Sequence, residues 1–200
     1  MSDLRARHRE ATAVAEAVVA AVEPGALDRP TPCGAWDLRQ LLAHMTGQNH
    51  GFAASARGET TDPGIWADRP VGGEPAKVFA ASCADVTAAF AEDGVLGREF
   101  WLPEIRPDRL LPAQLAIGFH LVDTVVHAWD VARSLGVPVV FGPEVLSATL
   151  PIALAVPQGD ARLTRGAAFA PVVPAAEDAP TLDRIVSVLG RDPGWAPAVA

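Results

Sequence analysis

Residues 112–136 read PAQLAIGFHLVDTVVHAWDVARSLG, and their pattern predicts one long helix. Pro112 suits a first helical turn, Leu115, Phe119, Val122, Val126 and Trp129 repeat every three or four residues, and Gly136 ends the run. The same segment carries His120, Asp123 and His127. Asp123 and His127 stand four residues apart, so they project about 40° from each other, one turn or about 5.4 Å along the axis. A carboxylate and an imidazole so placed can share a metal ion. His120, three residues before Asp123, forms a rival pair with it. His120 and His127 are two turns apart, about 10.5 Å on a straight helix, so only one of them fits a single ion.

A third ligand has to come from another helix. Asp37 can cap a helix with Gln40 completing the capping box, after the loop of Pro30, Pro32 and Gly34. Its buried stripe is Leu38, Leu41, Leu42, Met45, Asn49 and Phe52. His44 lies with Leu41 and Gln48 on an inward stripe, which makes it the candidate third ligand. Two histidines and one aspartate leave coordination positions open, as a catalytic ion requires. Zinc fits this set first, and nickel, iron and manganese accept the same donors. The competing reading treats all three as hydrogen-bonded core polar groups, and spacing does not separate the two. Gln48, one turn beyond His44, either touches substrate or faces solvent.

Working outward, a first helix is expected from Ser2 to Val22, ended by Pro24 and Gly25, and a third from Pro75 to Glu92 with Phe79, Cys83, Val86 and Phe90 on one face. Cys83 therefore reads as a core thiol, and Cys33 as a loop residue held by packing. Residues 58–73 form a loop, packed through Ile65 and Trp66 and placed to lid a site. Residues 94–111 look irregular. A helix over 143–155 is expected to kink or break at Pro151, a short one fits 181–189, and Phe169, Val172 and Val173 suggest an extended piece. The domain organisation expected is a helix bundle over residues 1–158 with an appendage over 159–200. His8 and His50 have no acidic partner at helical spacing and read as ordinary surface or core histidines. Asp130 could orient His127 or pair with Arg133, and the pairing with Arg133 is preferred.

Half of the 200 residues are apolar, enough for a substantial core, and the net charge is −8. That balance provides no global positive field for nucleic acid or anionic lipid. The apolar run from Ala11 to Val22 is too short and too charged to span a bilayer, and the charged N-terminal segment does not read as a signal peptide. A cytoplasmic protein, monomeric or homodimeric, is expected, with small molecules as partners and two reduced cysteines.

The run Thr31-Pro-Cys-Gly-Ala-Trp-Asp-Leu-Arg-Gln-Leu-Leu-Ala-His44, followed by Gly47, Asn49 and Phe52, resembles the second-helix signature of actinobacterial DinB-like proteins. Leu121 to Arg133, Phe169-Ala170 and Leu189-Gly-Arg-Asp-Pro193 are similar to the same family, in the same order. The branch they resemble is the mycothiol-dependent maleylpyruvate isomerases. The resemblance implies an all-α, up-down four-helix bundle with a small C-terminal extension, and a divalent metal held by His44, Asp123 and His127. One departure is that the isomerase carries glutamate where this chain has Asp123. The resemblance further implies mycothiol as thiol co-substrate and an isomerase or S-transferase acting on a small electrophile. Two other readings stay open: a metal-dependent hydrolase, for which His120 is the nearby general base, and a non-catalytic bundle binding a small ligand or a partner.

Overall fold

The computed structural model describes residues 3–197 apart from 35, 165, 166 and 177; Ser2, where the first helix was expected to begin, and the end of the extension at 198–200 lie outside the described residues. Six helices occur in this part of the chain: α1 (Arg5–Val19), α2 (Leu38–Ala56), α3 (Pro75–Ala91), α4 (Ala113–Leu135), α5 (Pro143–Leu154) and α6 (Thr181–Val188). The first four close a ring, because α1 packs on α3 and α4 while α2 packs on the same two. The all-α bundle expected from the sequence is the observed architecture.

Three of the helices, α2, α3 and α5, start on a local chemical signal. At α2 the Asp37 carboxylate accepts the Gln40 amide (2.8 Å), and the Gln40 side chain accepts the Asp37 amide (3.0 Å), which satisfies two otherwise unpaired donors. α3 and α5 both begin on proline. α4 is long and apolar enough to cross a membrane by length and composition, but 83% of that stretch is buried, so it is the core helix of the bundle. Leu121, Val125, Val126 and Val131 on it are fully inaccessible.

Two features within residues 94–155 differ from expectation. The stretch 94–111 enters a small antiparallel ribbon, β1 (Glu99–Phe100) against β2 (Leu111–Pro112). Short ribbons give too few alternating residues to read from sequence. α5 runs unbroken through Pro151. Pro151 removes one hydrogen bond to Ser147, and both residues lie on the exposed face, where water can take the freed carbonyl. Cys83 is buried, as expected, with the Asn49 amide nearby at 3.6 Å.

Toward the C-terminus α6 packs against α5. Ile185, Val186 and Leu189 belong to the same core cluster as α1, α2 and α4. Among the described residues no strand forms around Val172 and Val173, and the Val173 amide donates to the Ser187 carbonyl. Gly190 has φ +84°, and a Cβ there would stand 2.5 Å from the Ala170 carbonyl oxygen. This turn brings Arg191 back beneath α4.

Candidate metal centre

α2 and α4 present His44, Asp123 and His127 to one point, with one potential ligand atom from each residue lying within 4.8 Å of the others. His127 Nε2 is 3.2 Å from Asp123 Oδ1. The His44 and His127 rings meet edge to face at 5.4 Å between centroids, and the Trp36 indole lies against His44 at 4.6 Å. His127 is almost fully buried, whereas His44 and Asp123 keep side-chain exposures of 18% and 24%. One side of the group is therefore open.

A further carboxylate approaches each imidazole. His127 Nδ1 donates to Asp130 Oδ2 at 2.9 Å, and Asp130 is completely buried. His44 Nδ1 lies 3.5 Å from Asp68 Oδ1. A carboxylate on Nδ1 of His127 fixes the ring and turns Nε2 toward Asp123, an arrangement typical of metal-binding histidines. The sequence reading preferred Arg133 as the partner of Asp130. Instead Arg133 bonds the Pro193 carbonyl and covers Trp129, and Asp130 is paired with Arg191. A wholly buried carboxylate on a helix needs a cation, and the arginine of the C-terminal motif supplies it.

The electrostatics are those of a group short of one positive charge. Burial alone would lower His127, but the Asp123 and Asp130 carboxylates outweigh it and raise the imidazole to about 9. Burial opposes the charge on Asp123, yet the surrounding histidines hold its carboxyl well below the usual range. His44 is lowered, chiefly by burial and then by His127, against the pull of Asp123 and Asp68. A second trio, Cys33, His127 and Asp130, is equally close. Its carboxylate is already shared by His127 and Arg191, and the Arg191 guanidinium sits 3.1 Å from Cys33 Sγ, where it would repel a cation. Burial pushes the Cys33 thiol up to about 11. Two imidazoles and one carboxylate, with an open side and a supporting carboxylate, fit a divalent ion; the second trio does not.

His120 is not one of the three convergent donors. Its Nδ1 is 2.6 Å from His8 Nε2, and both rings are enclosed by Phe52 and Phe90. Burial lowers His8 far below its ordinary value and His120 to about 4, so the two form a neutral N–H···N pair. Of the two places the sequence allows His8, surface or core, it takes the core, on the buried stripe with Ala11 and Ala15. His50 has an acidic partner on another helix, Asp85 at 2.7 Å, in an outer network with Arg57. Gln48 is 7% exposed, on the cluster's side of α2 rather than facing solvent.

The N-terminal domain profile of mycothiol maleylpyruvate isomerase matches residues 8–132, a span that contains His44, Asp123, His127 and Asp130. The chain belongs to this family. Two proteins of Mycobacterium tuberculosis, the uncharacterized protein MT0763 of strain CDC 1551 and the uncharacterized protein Rv0738 of strain H37Rv, are 31% identical to it over 191 residues, covering 96% of this chain and 98% of theirs. The crystal structure of the mycothiol-dependent maleylpyruvate isomerase superposes with a TM-score of 0.57 at 16% identity, covering 76% of this chain and 66% of that one. A histidine-to-alanine mutant of the same enzyme aligns equally well. These structures share the bundle, and Arg191 lies outside the matched domain.

Proposed function

We propose that this protein is a metal-dependent enzyme that uses a low-molecular-weight thiol, mycothiol, to isomerise a small electrophile or transfers that thiol onto it. The observation that carries the reading is the convergence of His44, Asp123 and His127 within 4.8 Å at an open face, in a chain of this family. Zinc suits two nitrogens and one oxygen, and nickel, iron and manganese suit them too. When bound, the ion supplies a Lewis-acidic centre at which a thiol is deprotonated at neutral pH.

The chain's own residues do the rest. Asp130 holds His127 in one orientation and Arg191 balances the Asp130 charge, so the ligand set is fixed before anything binds. Asp68 steadies His44 from the open side. Trp36 covers the two imidazoles and keeps water from that flank. A hydrolase would need a general base beside the ion. His120, the candidate for that role, has its Nδ1 on His8 in the core, and this favours the thiol reading.

The test is spectroscopic. Cobalt-substituted protein titrated with mycothiol is expected to develop a sulfur-to-metal charge-transfer band. An unchanged spectrum at saturating thiol overturns the proposal.

A further inference from the structure

A groove of about 400 Å³ lies between α1 and α3. Its walls are alanines, Ala13 from α1 and Ala84, Ala88 and Ala91 from α3, all four exposed, and the buried Thr12 and Cys83 lie at its floor. A solvent-facing helix surface normally carries long polar side chains paired with one another, and this face is short of them. Arg9 and Glu16 are the charged residues along the groove, and neither side chain has an ionic or hydrogen-bonding partner among the described residues.

The placement of these two charges fits a second copy of this chain. Arg9, Ala13 and Glu16 stand at i, i+4 and i+7, so they share one face of α1, with the charges two turns or about 10.5 Å apart. Ion pairs along a helix form three or four residues apart, so these two do not neutralise each other. When two α1 helices pack antiparallel about a two-fold axis between Thr12 and Ala13, Arg9 of each copy faces Glu16 of the other, and both pairs form at once. The alanines beside the axis let the backbones approach closely.

Thr12 points the same way from a different observation. It is 3% exposed, and its hydroxyl has no partner among the described residues. Rotation about its Cα–Cβ bond exchanges methyl and hydroxyl, and two such hydroxyls beside a two-fold axis satisfy each other, one donating and one accepting. Burial and then the Glu16 carboxylate push the Cys83 thiol up to about 12, so Glu16 leans over the groove.

We infer that the groove between α1 and α3 is the interface of a homodimer, the same patch being used by both copies and closed by two Arg9–Glu16 pairs. α1 and α3 form the edge of the bundle opposite α2 and α4, so both metal centres stay open in the pair. The inference is independent of the thiol chemistry.

Sedimentation equilibrium of the full-length protein from about 1 to 100 µM tests it, a range in which modest interfaces assemble. A species of twice the 20.9 kDa chain is expected, with an affinity that falls as salt rises. Arg9→Glu sets like charges opposite each other twice and should weaken the dimer by about tenfold, as should Glu16→Arg. Both substitutions together re-form the pairs with reversed sign and should return the wild-type affinity. Both side chains are exposed, so neither change disturbs the core. A chain that stays monomeric throughout overturns the inference and leaves the groove to a different partner. A dimer that either single substitution leaves unchanged, or that the double substitution does not restore, overturns it as well.

Discussion

Arg191 donates to both carboxylate oxygens of Asp130, through Nη2 to Oδ2 at 3.1 Å and through Nε to Oδ1 at 3.4 Å, while the same Oδ2 receives the His127 Nδ1 proton at 2.9 Å. A residue 61 positions away along the chain thus orients a candidate metal ligand. Arg191→Met should leave the buried Asp130 charge uncompensated, costing about 3–5 kcal/mol in urea unfolding. It should also weaken zinc binding by about 10–100-fold. Arg191→Lys is expected to recover part of both, and an Arg191→Met protein with unaltered zinc affinity would show that the extension does not support the site.

The ligand assignment has a direct measurement. Purified protein should carry about one equivalent of divalent metal, and His44→Ala or His127→Ala should lose it, since each removes one of three protein donors. His120→Ala is expected to keep the metal while destabilising the core around Phe52 and Phe90 by about 2–4 kcal/mol. Elemental analysis of the three variants checks this, and metal loss in His120→Ala alone would reassign the site.

Metal-free protein should be most stable near pH 6–7. His127, raised to about 9 in the fold, is protonated when the unfolded histidine is not, so its contribution is complete below about 6.5 and is lost as pH rises through 9. His120, lowered to about 4, works in the opposite sense: the fold prefers it neutral, and stability is lost as pH falls from about 6.5 toward 4. Chemical denaturation of chelated protein across pH 4–9 should trace a dome, and a flat profile above pH 7 would contradict the His127 assignment.

The bundle and the approach of Asp123 to His127 were legible because both rest on local periodicity: apolar residues every three or four positions, a capping box at Asp37, and Asp123 and His127 one turn apart. His44 followed from its place on an inward stripe. What escaped was pairing between distant segments. Nothing near Asp130 announces Arg191, and nothing near His120 announces His8, because each contact is made by helix packing and not by spacing. Trp66 escaped for a related reason, its seat on α2 depending on the missing side chains of Gly47 and Gly51.

The Asp123→Glu change asks whether the bundle has adapted to the shorter carboxylate. Aspartate has one methylene fewer than glutamate, so at fixed helix spacing it falls short by about an ångström, while ligation tolerates about 0.2 Å. Yet Asp123 Oδ1 already stands 3.2 Å from His127 Nε2, and the three donors are gathered without a longer arm. The helices hold that distance by packing: Val122, Val126 and Trp129 beside the site are buried, and a dense interior does not open for one added methylene. Glutamate would therefore push its carboxylate past the meeting point or displace His44. Zinc affinity of Asp123→Glu is expected to fall by about tenfold, with the fold intact because Asp123 is partly exposed. Titration against a competing chelator measures it, and tighter binding than wild type would mean that aspartate leaves the ion short of a ligand and that the two histidines hold it alone.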